Sequence, residues 1–166
     1  MKRHKGQAAI EYLIDYIWAI VIISFVITQL FFLYRMFGLP DMCMFSPYVF
    51  MCNKPIAYVD NNSYVHVVIK VINQNPSNVD IHYIGCSNDR NPDVVRYSKL
   101  KLTLTSQSSK VFSVPCYTSD GQPLKGTEGD VFRGYVFIRY NFADDPSIAP
   151  NRLTVASIVS RIVKSG

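Results

Sequence analysis

Neither a G-x-S-x-G nucleophile turn nor an H-E-x-x-H pair occurs in this sequence, and there is no P-loop and no G-x-G-x-x-G segment. The arrangements that hydrolases, zinc proteases and nucleotide-binding enzymes use are therefore missing. Histidine is scarce. His4 lies in a basic head, and His66 and His82 fall on two expected strands that the pattern places side by side. Two strand histidines without a neighbouring carboxylate pattern read as ordinary surface or packing residues rather than as metal ligands. The cysteines include no C-x-x-C pair, which argues against a four-cysteine zinc site. Asp144-Asp145 beside Pro146 offers oxygens to calcium, but a solvated loop explains it as well. We expect no enzyme, no cofactor and no metal.

Positive charge is also thin where a nucleic-acid partner would need it. Of a formal net charge of +5, three units sit at Lys2, Arg3 and Lys5, so the rest of the chain carries only +2. Beyond residue 35 the Lys and Arg residues are scattered among acids and aromatics instead of forming a basic face, so no nucleic-acid partner is expected.

What the sequence does have is one long apolar run. Tyr16 to Tyr34 is 19 residues without a formal charge, and no Gly or Pro interrupts residues 7–37. As a helix those 19 residues would extend roughly 28 Å, close to the hydrocarbon thickness of a bilayer. The basic residues before the run and the lone Arg35 after it favour an amino end in the cytoplasm and the remainder outside. A secretory signal has a shorter apolar stretch and an A-x-A-like end, which this run lacks. Tyr12, Tyr16, Trp18 and Tyr34 read equally well as interfacial anchors or as plain aromatic packing. Glu11 and Asp15 are less ordinary. They lie four residues apart, on one helical face, and a carboxylate in the apolar zone costs roughly 2.5 to 3.5 kcal/mol. Either a cation on another chain compensates them, or both remain solvated in the headgroup layer.

The segment Lys5-Gly6-Gln7-Ala8-Ala9-Ile10-Glu11-Tyr12-Leu13 resembles the class III signal peptide of archaeal type IV pilin-like proteins. Basic residues and a small residue precede a helix that opens Gln-x-x-x-Glu. The resemblance covers about the first 37 residues, and only the layout thereafter. It implies that a membrane prepilin peptidase cuts between Gly6 and Gln7, and that Glu11 neutralises the terminal amine of a neighbouring pilin-like subunit during assembly. Asp15 has no counterpart in that pattern and points toward a minor or non-filament relative. Removal of Lys2, Arg3 and Lys5 would free the helix from its cytoplasmic anchor, so that it could bury its apolar surface against copies of itself.

Gly38-Leu39-Pro40 should end the helix, and from there the period becomes two. Strands are expected at Tyr64–Ile72, Val79–Ile84, Leu100–Thr105, Lys110–Val114, Val131–Phe142 and Leu153–Val163, separated by turn clusters rich in Asn, Asp, Pro and Gly. Arg152–Val163 is ambiguous with a short helix, but its β-branched residues favour strand. The expectation is an α+β chain: a basic leader (1–6), a transmembrane or assembly helix (7–37) and an outer domain (38–166) built as an antiparallel β-sandwich or barrel, the immunoglobulin-like sandwich being expected.

Cys43, Cys52, Cys86 and Cys116 all follow the helix, on the side placed outside the cell. Four cysteines allow three pairings. Cys43 with Cys52 closes a short loop, and Cys86 and Cys116 both flank strands, so these two pairs are favoured. Asn61-Asn62-Ser63 is a glycosylation sequon that reads as well as an unmodified turn. Exposed residues such as Tyr97, Arg133 and Arg139 identify no ligand. The function expected is a structural, pilin-like subunit at the cell membrane or in a surface filament. The alternative is a permanently anchored protein that displays a binding domain.

Overall fold

A computed structural model describes residues 4–37, 41–146 and 148–165. The chain divides into two compact units, Met1–Gly38 and Leu39–Gly166. The first is one α-helix, α1 (His4–Phe37), with no break between the expected leader and the apolar run. The helix stop expected at Gly38-Leu39-Pro40 lies outside the described residues, as do Lys2 and Arg3.

The second unit is β-structure: β1 (Met42–Ser46), β2 (Phe50–Cys52), β3 (Ile56–Val59), β4 (Val65–Asn73), β5 (Val79–Ser87), β6 (Tyr97–Leu104), β7 (Ser109–Tyr117), β8 (Val131–Phe142) and β9 (Arg152–Lys164). All six expected strands are present. The three short strands β1 to β3 precede them, in a stretch where the sequence gives no run long enough to show a period. Alternation is clear in the long strands. Val65, Val67, Ile69 and Val71 of β4 are buried while their neighbours are partly open, and Ala156, Ile158 and Ile162 do the same on β9.

The sandwich expectation needs correction. Following the hydrogen-bonded neighbours, β3 leads to β4, then β7, β5, β8 and β9, and β9 returns to β3. This closed ring of six strands is a small barrel, with β1 added to β9, β6 to β5 and β2 to β4. The architecture is not wholly antiparallel either, since both closing seams are short parallel ladders: Ala57–Val59 against Ile162–Lys164, and Cys86–Ser87 against Cys116–Tyr117. The reason lies in strand length. β9 has 13 residues, so its first part pairs with β8 and its last three residues cross to β3. Closure at the two seams joins the four strand edges, of β3 and β9 and of β5 and β7, that a sandwich would leave open.

A six-strand ring leaves an interior that side chains fill. Phe45, Phe50, Ile69, Ile81, Ile138 and Ile158 are among its fully buried members. Phe45, Phe50 and Tyr140 meet edge to face, with centroids 5.7 and 5.2 Å apart. Close approach favours glycine at several places: a Cβ at Gly85 would stand 2.7 Å from the Arg96 carbonyl oxygen, and one at Gly126, in the loop between β7 and β8, would stand 2.6 Å from Val65 Cγ2 and 2.8 Å from Ile162 Cδ1, so those side chains would have to shift.

Candidate functional site

The helix is the first feature that calls for a function. Tyr16–Leu33 is long and apolar enough to cross a membrane, and none of it is buried by the rest of the chain. Four consecutive residues cover the whole circumference of a helix at 100° each, and Ile20, Val21, Ile22 and Ile23 are all exposed. The helix is apolar on every side, which suits lipid or other helices better than a single core face. Its twelve Ile, Val, Leu and Phe residues between 16 and 34 favour insertion by on the order of 5 kcal/mol. The Thr28 hydroxyl donates to the Ser24 carbonyl at 2.8 Å, so that polar group is satisfied within the helix and needs no water. Gly6, Gln7 and Glu11 lie on the backbone of the same helix. The side chains of Lys5, Gln7, Glu11 and Asp15 are outside the described residues.

Both cysteine pairs are disulfides, Cys43 with Cys52 and Cys86 with Cys116, at Cα separations of 5.9 and 4.5 Å. The first clips β1 to β2. The second bridges the parallel seam of β5 and β7, where Cys86 and Cys116 are register partners. Asn61 is exposed in the turn between β3 and β4. The expected facing of His66 and His82 does not occur, because β7 stands between β4 and β5 in the ring. His66 instead stacks on Tyr58 at 5.1 Å and pairs with Asp60 at 3.5 Å. His82 sits at an irregularity in β5, beside Asp80, Lys101 and Thr103. Asp144 and Asp145 are both engaged. Asp144 accepts from the Ser77 hydroxyl, and Asp145 accepts the Phe142 amide and pairs with Arg152 at 2.9 Å. Of the three residues expected to be exposed, Arg133 and Arg139 are exposed on β8, whereas Tyr97 is half-buried, with Arg139 over its ring at 4.9 Å.

The strand directions give the barrel two unlike ends. At one, the connections after β3, β5 and β7 (60–64, 88–96 and 118–130) carry nine formal charges, among them Asp60, Arg96, Asp120 and Glu128. At the other, the connections after β1, β4 and β6 (47–49, 74–78 and 105–108) carry none, and that after β8 (143–151) carries only Asp144 and Asp145. An amide and hydroxyl network stitches this sparsely charged end together. The buried Asn73 donates to the carbonyls of Ser77, Leu104 and Thr105. Asn75 donates to Val49, Ser106 donates to Asn75, and Thr154 donates to Pro47. Sequence reading missed this polarity, because it requires knowing which loops share an end.

These features define the class: a long apolar amino-terminal helix followed by a separate β-barrel domain with two disulfides, a layout that fits pilin-like proteins. Compared with known protein families and with curated proteins, the sequence matches none.

Proposed function

We propose that this chain is a pilin-like structural subunit. It is inserted in the cell membrane with its amino end in the cytoplasm, cleaved after Gly6 by a prepilin peptidase, and assembled through α1 into a type IV pilus-like filament or related surface structure. The barrel then stands outside the cell and coats the assembly. No catalytic chemistry and no cofactor belong to this reading.

The observation that carries it is the unpartnered helix. The core of the second unit is built from its own strands, and α1 is apolar on every side between Tyr16 and Leu33. Such a surface is stable in lipid or against other helices, and not in water. Gly6 supports the processing step physically, because it lies in the first turn, where helices fray and where glycine weakens the helix by roughly 0.5 to 1 kcal/mol. The scissile bond can therefore be presented extended.

The test is the amino terminus and mass of the protein isolated from its native membrane. A chain beginning at Gln7 supports processing, whereas one retaining Met1 leaves a permanently anchored display protein. Glu11→Ala should then remain in the membrane and drop out of the assembled fraction. If it assembles like the parent, the amine-pairing role of Glu11 is wrong.

A further inference from the structure

One outer face of the barrel gathers charge of a single sign. It belongs to the sheet that runs β1, β9, β8, β5, β6, whose alternate residues fill the core while the others point out. Register sets these outward residues in rows. Val159 has Met42 on one side and Arg133 on the other, and Ser157 has Met44 and Tyr135. Arg139 stands between Leu153 and Tyr83, Tyr83 is followed by Lys99, and Arg161 pairs with Val131. Arg133, Arg139, Arg161, Lys99 and Lys101 are all exposed, and Asp80 is the one acid in the five strands. Among the described residues the ion pairs engage Lys54, His66 and Arg152, and none of these five cations. A cleft of about 200 Å³ opens in the same face between Met44, Tyr135 and Val155, with Arg90 at its rim.

We infer that this basic face receives the acidic end of the barrel of a second copy, so that copies join end to side. The inference rests on the assembly reading for bringing copies together, and adds a contact between barrels to the one made by α1. Two observations select this occupant. The face mixes arginine with methionine, tyrosine and half-open valine, the composition that surfaces take where they bury protein, and its lysines lie at the margin on β6. The complementary charge is carried by the chain itself. The connections after β3, β5 and β7 hold six carboxylates against Arg90, Arg96 and Lys125, with Lys164 ending β9 beside them. Within them the β7–β8 connection projects exposed Asp120, Glu128 and Asp130 against Lys125 alone. Positive face and negative end steer the encounter and fix its register. Because an end and a side are different patches, the contact is heterologous and repeats from copy to copy in an open assembly.

The test is charge reversal in the full chain, held in nonionic detergent with micelles in large excess and followed by sedimentation velocity across protein concentrations. One variant carries Arg133→Glu with Arg161→Glu, and the other Glu128→Lys with Asp130→Lys. The parent should self-associate at about 0.02 M salt and come apart at about 1 M, where charges are screened beyond about 3 Å. Each variant alone should associate at least about tenfold more weakly. An equimolar mixture of the two should associate again, because the reversed end of one meets the reversed face of the other. Misfolding cannot imitate that result, since an unfolded partner restores nothing. A parent that stays monomeric at low salt overturns the contact. Association that survives both reversals and high salt also overturns it, and assigns self-association to α1. Loss in the arginine variant without rescue by mixing, together with a shift of the parent alone on adding a sulfated polysaccharide, overturns it in favour of an anionic polymer. A chain that retains Met1 in its native membrane yet shows rescue by mixing fails the processed-subunit reading and leaves the barrel contact standing.

Discussion

Cys86 and Cys116 are register partners across the parallel seam of β5 and β7, bonded through their sulfurs with Cα atoms 4.5 Å apart. That ladder has only two register pairs, so the covalent bond holds one of the two places where the ring closes. Its sequence separation is 30 residues, against 9 for Cys43–Cys52. On loop-closure entropy alone the longer loop contributes about 3.6 kcal/mol and the shorter about 2.6 kcal/mol. Replacing both Cys86 and Cys116 by Ala should therefore lower the unfolding free energy more than replacing Cys43 and Cys52. Denaturant titration of the two double variants measures the difference, and a larger loss from the shorter loop contradicts the entropic account.

Asn73 is fully buried and its amide donates to three carbonyls at 3.0 to 3.2 Å while its carbonyl oxygen accepts the Asn75 amide. Asn73→Ala removes those donors and leaves desolvated carbonyls behind, at a cost of about 2 to 3 kcal/mol. Gln74→Ala, two-sided by solvent in the same turn, should change stability by less than about 0.5 kcal/mol. Chemical denaturation of both variants tests whether the network or merely the turn matters.

The Asp60 carboxylate is held below its ordinary 3.8, first by the Tyr64 amide, against a smaller opposing effect of desolvation, and then by the Asn62 amide and His66. Because the folded pKa is the lower one, its stabilisation is present above the unfolded value and is lost as pH falls through the folded value. Asp60→Asn should thus be less stable than the parent at pH 6, and the gap should narrow as the pH is taken below 3.8. Thermal melts of the pair across that range check it; a gap that widens on acidification has the wrong sign.

Arg139 covers the Tyr97 ring, which in turn meets Tyr83 edge to face at 6.1 Å. Tyr97 begins β6, a strand held in the sheet along β5 alone. Arg139→Ala should weaken this corner by about 0.5 to 1 kcal/mol. Amide hydrogen exchange in β6 should accelerate several-fold while β4, at the other side of the barrel, stays unchanged.

Much of the fold was legible because it rests on local chemistry. The six long strands announce themselves through β-branched residues at a period of two, and the turns between them through Asn, Asp, Gly and Pro. β1 to β3 were not legible, since strands of three to five residues carry too few positions to establish a period. His66 and His82 show the same limit from the other side. Each was placed on a strand correctly, but which strands are neighbours is a property of the ring, and β7 intervenes.

The sequence by itself determined that one apolar helix precedes a β-rich domain, because hydrophobic run length and side-chain period are written residue by residue. Among the three possible cysteine pairings it favoured the one that is formed, from loop length and strand flanks, but only the structure fixed it. Only the tertiary structure decided that the sheets close into a barrel, because closure depends on β9 being long enough to leave β8 and reach β3. It alone decided that the charged loops gather at one end and Tyr48 and Ile148 at the other, since loops far apart in sequence share an end only through the directions of the strands that they join.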